Sequence, residues 1–524
     1  MIRLSFILLL LLFAPAIAAA QPTEVVQLPA GALRGEQSGA VEAFLGVPFA
    51  VPPTGRERWR APVPAARWHG VRQAAAHHAG CAAPPSGDGP GSLNEDCLYL
   101  DIYRPAGTGA GDALPVQVFL HGGGNMWGSP DIYDGARFAA RARAIVVVPA
   151  YRTGIFGFLA LDGAGAPDGT LAMRDQIAAL KWVRRNIGAM GGDADRVTLA
   201  GESAGAADVC GLLTAHAARG LFSRVIMQSG FCHVTMPLGD AQAMGRLVAE
   251  DVGCIGRAAL SCLRASDAGR LQAAWSKLWN ERSYGSAMPL FAVTPSGSAL
   301  IDEPPMKALE RGTFAHVPAL VMFDRDELRS MMSGLADKDA TVLDGVIDRA
   351  YGPAAASVRR EYAAAFGHGA FDAIAALRSD HGVICGSVAA ADLLSAYVPV
   401  AVAEFADRTA PSFRSLGPPI SRPAGFRTGA AHTVELQYLM GYRAADTGLS
   451  DVQAALADRM IDLWAHFMTA GVTGPWQPYT SAKRAILRIA DTADGGIAYR
   501  DDIAAEHHCP FWHAFPGAVE RLVP

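Results

Sequence analysis

The 524-residue chain lacks the features that mark nucleic-acid-binding and membrane-spanning proteins. Its 45 basic and 50 acidic residues are interspersed, no basic tract interrupts them, and the net charge is −5 at pH 7. Nucleic acid and anionic membrane surfaces are therefore poor candidates as partners. Beyond the N-terminus, no apolar run is long enough for a transmembrane helix, so stable membrane insertion is not expected.

Metal-ligand spacing is also missing from the sequence. The pairs His77-His78 and His507-His508 have no acidic residue or cysteine at the spacing of a metal site. We interpret both pairs as solvated loop residues. Neither a metal nor an organic cofactor is expected.

The first 20 residues have the composition of a targeting segment. Arg3 precedes an almost wholly apolar stretch from residue 4 to residue 13, and small residues follow from Ala14 to Ala20. This pattern predicts a secretory signal peptide over residues 1–20, with an uncleaved membrane anchor as the alternative. Export to the periplasm or the medium would place the eight cysteines in an oxidising compartment, where disulfides persist.

A candidate nucleophile lies in the segment Gly201-Glu-Ser-Ala-Gly205, which follows the apolar run Val197–Ala200. Gly-x-Ser-x-Gly after a strand is the pattern of a nucleophile elbow, where two glycines permit a turn so tight that the serine is exposed and strained. The pattern therefore predicts Ser203 as a nucleophile. Five residues of this kind also recur by chance, so the assignment depends on finding a base, an orienting acid and an oxyanion hole.

The segment His121-Gly-Gly-Gly124 can supply that oxyanion hole. It follows the candidate buried strand Val116–Leu120, and its glycines let backbone N–H groups approach a substrate oxygen closely. Gly123 and Gly124 are the expected donors, with the N–H of Ala204 as the third. A plain glycine-rich turn is the alternative.

Four further segments, together with the elbow, carry a resemblance to a known family. They are Phe44-Leu-Gly-Val-Pro-Phe-Ala50, Glu95-Asp-Cys-Leu-Tyr-Leu-Asp-Ile-Tyr-Arg-Pro105, Asp175-Gln-Ile-Ala-Ala-Leu-Lys-Trp-Val183 and Gly191-Gly-Asp193. This collinear set resembles the type-B carboxylesterases, which include cholinesterases and bacterial para-nitrobenzyl esterases. The resemblance implies an α/β-hydrolase fold in one large domain over residues 21–524, with a central, mostly parallel sheet flanked by helices. It also implies a serine hydrolase that acts on small-molecule esters without a cofactor.

Strands and one helix are expected from the apolar pattern. The candidate strands are Val116–Leu120, Ile145–Val148, Val197–Ala200, Val225–Met227, Ala319–Phe323 and Val400–Phe405. The candidate helix has Met173, Ile177, Leu180, Val183 and Ile187 on one face, which indicates core packing.

In α/β-hydrolases the acid and the histidine follow the serine in that order. After the apolar run that ends at Phe323, the resemblance makes Glu327 the triad acid, with Asp326 as the fallback and an acidic helix cap as the alternative. His432 is the candidate base, because small residues precede it and its segment resembles the histidine loop of the family. A surface-loop histidine is the alternative.

The resemblance also suggests supporting residues and two departures. Glu202 and Ser229 match positions close to the triad, although both could be scaffold. Met190 and Asn125 stand where an aromatic residue is common, and Asn125 is expected to alter the pocket beside the oxyanion hole.

Disulfide pairing follows from the resemblance alone. The implied bridges are Cys81–Cys97, Cys254–Cys262 and Cys385–Cys509. Cys210 and Cys232 remain, either paired with each other or as buried free thiols.

Substrate preference is indicated by two missing aromatic features. The segment 82–96 contains no aromatic residue that could bind a quaternary ammonium, and Leu328-Arg-Ser-Met-Met332 replaces an aromatic segment of cholinesterases. Aliphatic or aryl esters are therefore expected rather than choline esters. Arg329 either recognises an acidic substituent or faces the surface. A catalytically silent binding module and an amidase or lactonase are the rival functions.

Overall fold

The computed structural model describes residues 20–86, 91–230, 232–283, 295–413, 422–443 and 447–515. Residues 1–19 of the expected signal peptide lie outside the described residues. Within the described ranges, no helix combines the length and the apolar character that crossing a membrane would need.

Fifteen strands occur in the described part of the chain. They are β1 (Gln21–Pro22), β2 (Val26–Leu28), β3 (Gly31–Arg34), β4 (Glu36–Ser38), β5 (Val41–Pro48), β6 (Val71–Gln73), β7 (Tyr99–Pro105), β8 (Leu114–Leu120), β9 (Ile145–Pro149), β10 (Gly192–Glu202), β11 (Arg224–Gln228), β12 (Ala319–Asp324), β13 (Val400–Phe405), β14 (Ile486–Ile489) and β15 (Ile497–Arg500).

Twelve of these described strands form one sheet in the order β1-β4-β5-β7-β9-β8-β10-β11-β12-β13-β14-β15. All neighbours from β9 to β14 in that order are parallel, and the pairs outside this block are antiparallel. Strands β2, β3 and β6 form a small separate sheet. The expected α/β fold with a central, mostly parallel sheet is confirmed, as are the six candidate strands.

Seventeen α-helices lie between the strands or after the last one in the described ranges. They are α1 (Ala136–Ala142), α2 (Gly154–Phe158), α3 (Leu171–Asn186), α4 (Ala204–Thr214), α5 (Leu238–Asp251), α6 (Ala259–Ala265), α7 (Ala268–Ser283), α8 (Pro305–Arg311), α9 (Ala340–Tyr351), α10 (Ala355–Glu361), α11 (Ala363–His368), α12 (Ala370–Ser379), α13 (Cys385–Leu394), α14 (Leu436–Leu439), α15 (Asp451–Ala470), α16 (Ile503–Glu506) and α17 (Cys509–His513).

Helices cover both faces of the sheet, because alternate strand residues point to opposite sides. In β11, Val225 belongs to the apolar cluster that α3 packs against, whereas Ile226 belongs to the cluster that contains the buried face of α15. The candidate helix is confirmed as α3, which buries Met173 and Leu180; Ile187 follows in a 3₁₀ turn. The core therefore consists of two apolar layers with the sheet between them.

Four disulfides link the described chain. The three bridges implied by the resemblance are present. A fourth joins Cys210 in α4 to Cys232 in the loop after β11. Of the two alternatives left open by the sequence, these cysteines are therefore paired with each other and are not free thiols.

The interpretation of His507 as a solvated loop residue is wrong. Its side chain is buried, and its ring nitrogens contact Asp380 at 2.6 Å and Glu404 at 2.8 Å. Burial disfavours the imidazolium, but these two carboxylates outweigh it and raise the pKa of His507 to about 10. The sequence pattern missed this site because both acids lie more than 100 positions away in the chain. Together with the adjacent bridge at Cys509, the ion pairs attach the C-terminal segment to the body of the protein.

Candidate active site

The candidate catalytic residues meet at the carboxyl edge of the central sheet. His121 follows β8, Ser203 follows β10, Ser229 follows β11 and Glu327 lies just after β12. These four strands include parallel neighbours, so their carboxyl ends open to the same side, where ligands bind in open α/β sheets.

Ser203 occupies a strained turn between β10 and α4. Its backbone has φ 56° and ψ −124°, a conformation that residues with a side chain rarely adopt, and its N–H donates to the carbonyl of Gln228 at 2.9 Å. A Cβ atom on Gly201 would lie 2.5 Å from the carbonyl oxygen of Gly205, and one on Gly205 would lie 2.2 Å from that of Leu120. Both glycines are therefore required sterically, as the elbow pattern indicates.

Ser203, His432 and Glu327 form one continuous chain of contacts. Nε2 of His432 lies 2.8 Å from Oγ of Ser203, and Nδ1 of His432 lies 2.5 Å from Oε2 of Glu327. The other carboxylate oxygen of Glu327 accepts a hydrogen bond from the N–H of Asp324 at 2.9 Å. All three side chains of the contact chain are buried, so their geometry is fixed by the protein.

Asp326, the fallback acid, has a different position. Its Oδ2 accepts a hydrogen bond from the N–H of Ala430 at 3.0 Å, and its own N–H donates to the carbonyl of Ala430 at 2.8 Å. The backbone N–H of His432 in turn donates to the carbonyl of Glu327 at 2.9 Å. Asp326 therefore fastens the histidine loop to the acid loop, while Glu327 contacts the imidazole.

Carboxylates around His432 favour its protonated form. Burial lowers the pKa of His432, but Glu327 and Glu202 outweigh burial and raise it to about 9. Oε1 of Glu202 lies 3.3 Å from Nε2 of His432. The pKa of Glu202 itself lies well above its ordinary value, because burial disfavours its charge. The carboxylates of the site thus stabilise a positive charge on the His432 imidazole.

The glycine loop after β8 and the first turn of α4 both adjoin Ser203. Gly123 and Gly124 have positive φ angles of 110° and 61°, and a Cβ atom on Gly123 would lie 2.5 Å from the carbonyl oxygen of Trp127. A Cβ atom on the neighbouring Gly122 would lie 3.1 Å from Cβ of Ser203, so the glycine loop passes directly beside the nucleophile. Ala204 is the first residue of α4, and its N–H therefore has no acceptor within the helix.

The hydroxyl of Ser229 and the carboxylates of Asp324 and Glu435 are also buried, and both acids interact electrostatically with Glu327. Ser229 has φ 52°, and its hydroxyl has no hydrogen-bond partner among the described residues. Glu435 accepts a hydrogen bond from Nε2 of Gln228 at 2.9 Å. Burial raises the pKa of Glu435, and it raises that of Asp324 well above its ordinary value. Sequence reasoning missed Glu435, for which the available signal was its place three residues after His432.

The side chain of Asn125 contacts helix α4. Its Nδ2 donates to Oδ1 of Asp208 in α4 at 3.2 Å, and its side chain is buried. Burial raises the pKa of Asp208 to about 7. Sequence reasoning did not single out Asp208, because nothing in the pattern links residues 83 positions apart.

Arg329 is engaged away from the triad. Its guanidinium contacts Asp372 at 2.5 Å and lies over the rings of Phe371 and Phe426. It borders a cavity of about 880 Å³ whose lining, in the described part of the chain, includes neither Ser203 nor the other triad residues.

Comparisons with known proteins agree with this geometry. The model of the carboxylesterase family matches residues 22–512. Fumonisin B1 esterase of Sphingopyxis macrogoltabida is 32% identical over 474 residues, which cover 86% of this chain and 83% of that protein. Para-nitrobenzyl esterase of Bacillus subtilis (strain 168) is 36% identical over 312 residues, 58% of this chain and 63% of that one. A solved PNB esterase structure superposes with a TM-score of 0.75 at 29% identity, covering 92% of this chain and 98% of its own.

A family match over nearly the whole chain and a fold shared with a solved PNB esterase lead to one conclusion: this protein belongs to the carboxylesterase family and hydrolyses carboxylic esters.

Proposed function

We propose that the protein is a secreted serine esterase that works through an acyl-enzyme intermediate. Oγ of Ser203 attacks the ester carbonyl carbon while its proton passes to Nε2 of His432. The carbonyl oxygen becomes an oxyanion, which accepts hydrogen bonds from the N–H groups of Gly123, Gly124 and Ala204. When the C–O bond breaks, the alcohol leaves with the proton from His432.

Water then completes the cycle. It attacks the acyl carbon and gives a proton to Nε2 of His432, and the second tetrahedral intermediate releases the acid as the proton returns to Ser203. Glu327 holds the imidazole in the tautomer that presents Nε2 to the serine and stabilises its charge.

The contact chain from Ser203 through His432 to Glu327 carries this proposal, with heavy-atom distances of 2.8 and 2.5 Å. The distance between Ser203 and His432 lies in the range of a hydrogen-bonded nucleophile and base, and the shorter one joins the imidazole to its carboxylate. A catalytically silent binding module is disfavoured, because such a module has no need to keep a strained serine in contact with a buried imidazole.

Aliphatic or aryl esters are the proposed substrates. The segment 82–96 offers no aromatic face for a quaternary ammonium, which argues against choline esters. Arg329 forms an ion pair with Asp372, so the charge of its guanidinium is already compensated. It therefore gives no support for a substrate with an acidic substituent. The relatives named para-nitrobenzyl esterase and fumonisin B1 esterase favour non-choline esters as well.

Export is proposed from the apolar N-terminal segment and the four disulfides. The mature protein purified from the periplasm or the medium should begin after Ala18 or Ala20, as measured by intact mass and N-terminal sequencing. A product that retains Met1 and accumulates in the cytosol would contradict export.

Ser203→Ala tests the proposed chemistry. The variant should lose hydrolysis of para-nitrophenyl esters and covalent labelling by an organophosphate, because both need the same oxygen nucleophile. Ser395→Ala is a matched control, since its hydroxyl caps the end of α13 through the carbonyl of Asp392, away from the triad. Labelling of Ser203→Ala at the wild-type rate would refute the assignment.

A panel of acyl chain lengths, aryl esters, anilides and lactones, assayed with the purified mature protein, distinguishes the rival hydrolase activities. Turnover of short aliphatic or aryl esters well above the others supports the proposed substrate class. Preference for anilides or lactones would reassign the site to an amidase or a lactonase, and labelling without turnover of any substrate would favour a binding module.

A further inference from the structure

The three oxyanion donors of the proposed site come from two separate segments. Gly123 and Gly124 lie in the loop after β8, whereas Ala204 begins α4. Their N–H groups can converge on one oxygen only if the loop and the helix keep a fixed relation. Because a displacement of about 1 Å at a reacting centre can cost about 100-fold in rate, something must hold that relation.

A side-chain hydrogen bond runs directly between the two segments. Asn125 follows Gly124 in the loop, and its Nδ2 donates to Oδ1 of Asp208 in α4 at 3.2 Å. The second oxygen of Asp208 accepts a hydrogen bond from Nε2 of Gln176 in α3 at 2.5 Å. The carboxylate of Asp208 therefore accepts one hydrogen bond from the glycine loop and one from α3.

Because the three side chains are buried, their hydrogen bonds are satisfied only in the present arrangement of the loop. Asn125, Asp208 and Gln176 are exposed by only 1%, 3% and 0%. Water cannot replace a broken hydrogen bond at such positions, so the loop is confined to the arrangement that satisfies the buried carboxyl group.

The backbone conformation at position 125 also favours asparagine. Its φ of 58° is a left-handed conformation that asparagine tolerates better than most residues with a side chain. Its carbonyl accepts a hydrogen bond from the N–H of Gly154 at 2.7 Å, and the hydroxyl of Tyr151 donates to the carbonyl of His121 at 2.6 Å at the start of the loop. Asn125 thus combines a backbone turn with a side-chain link to α4.

We propose that Asn125 and Asp208 are positioning residues for the oxyanion hole, which hold the glycine loop in register with the first turn of α4. Neither side chain contacts substrate; both act through the N–H groups of Gly123, Gly124 and Ala204. The inference rests on the proposed function, because it requires an oxyanion at those donors.

Asn125→Ala and Asp208→Ala test the link by steady-state kinetics on a para-nitrophenyl ester and by inhibition with a trifluoromethyl ketone. Each should lower kcat about 10-fold, below the roughly 10²- to 10³-fold cost of removing a donor outright, and leave KM unchanged. The affinity for the ketone should fall by the same factor, since its tetrahedral adduct places an oxyanion in the hole. The double variant should be no slower than either single one, because both break the same hydrogen bond.

Two further variants separate positioning from general destabilisation. Asp208→Asn should recover most of kcat, because its amide can accept from Asn125 and donate to Oε1 of a turned Gln176. Asn186→Ala removes another buried asparagine, whose Nδ2 donates to the carbonyl of Trp182 at 2.8 Å, and should lower the thermal midpoint without changing kcat.

Unchanged kcat and ketone affinity in Asn125→Ala and Asp208→Ala would overturn the inference, as would an equal loss of kcat in Asn186→Ala. Ser203→Ala, assayed alongside, distinguishes failure of the positioning role from failure of the proposed function. An inactive Ser203→Ala with fully active Asn125→Ala refutes only the positioning role, whereas an active Ser203→Ala refutes the proposed function itself.

Discussion

Replacing Glu202 by glutamine should move the acidic limb of the pH profile of kcat/KM to lower pH. A negative charge beside Nε2 of His432 favours the imidazolium, which cannot take the serine proton. Its removal lowers the pKa of His432 from its value of about 9, so the neutral imidazole persists to lower pH. The variant should therefore gain activity relative to the wild type on the acidic side of the profile.

The size of the shift follows from the contact between the two side chains. Oε1 of Glu202 and Nε2 of His432 are 3.3 Å apart. Two unit charges at that distance interact by about 1.3 kcal/mol even with the dielectric constant of bulk water, which corresponds to about one pH unit. Both groups are buried, so their charges interact more strongly here than in bulk water wherever Glu202 is ionised.

The assay is kcat/KM for a soluble para-nitrophenyl ester across the acidic and alkaline range, since this ratio reports the ionisation of the free enzyme. Glu303→Gln is the matched control, because Glu303 pairs with the largely exposed Arg311 in α8. An unmoved limb in Glu202→Gln would mean that Glu202 is already protonated where His432 titrates. A limb displaced to higher pH would refute the sign of the electrostatic argument.

Three further outcomes are expected. Replacing Cys385 and Cys509 by alanine should lower the free energy of unfolding in urea by about 5 kcal/mol, because the bridge spans 124 positions. Removing the Cys254–Cys262 bridge, which spans 8 positions, should cost about 2.5 kcal/mol. Equal losses would contradict this ordering. The urea midpoint of the wild type should decline between pH 6.5 and pH 10, because the raised pKa of His507 contributes stability that is complete below pH 6.5 and lost as pH rises through about 10. His507→Gln should abolish this decline. A variant that declines in parallel with the wild type would exclude His507 as the cause. Gly205→Ala should lower the thermal midpoint and prevent organophosphate labelling, since its Cβ would lie 2.2 Å from the carbonyl oxygen of Leu120; normal labelling would show that the elbow tolerates a side chain.

The core of the fold and of the candidate site could be predicted because local patterns encode them. Gly-x-Ser-x-Gly after an apolar run located Ser203, and the chain order of the fold then restricted the acid and the base to the residues beyond it. The geometry brings Glu327 and His432 to that serine. Strand β10 begins at Gly192, five positions before the apolar run, because pairing with β8 extends past the apolar residues.

Tertiary contacts set the limit of sequence reasoning. Asn125 and Asp208 carry no motif, and their contact arises only because β8 ends and α4 begins at the same edge of the sheet. For Arg329 the sequence left substrate recognition and a surface position open, and it gave no sign that α12 supplies Asp372 as its partner. His507 was misjudged for the same reason, since its partner acids come from other elements.

The long separation between the serine and its base has a consequence for biosynthesis. Ser203 and His432, which exchange the proton in the proposed mechanism, are 229 positions apart, and the bridge from Cys385 needs Cys509, which follows both of them. A ribosome-bound or partly translocated chain carries the elbow long before it carries an imidazole to activate it. Under the proposed mechanism, hydrolytic competence therefore arises only after synthesis has passed His432 and this residue has folded against Ser203.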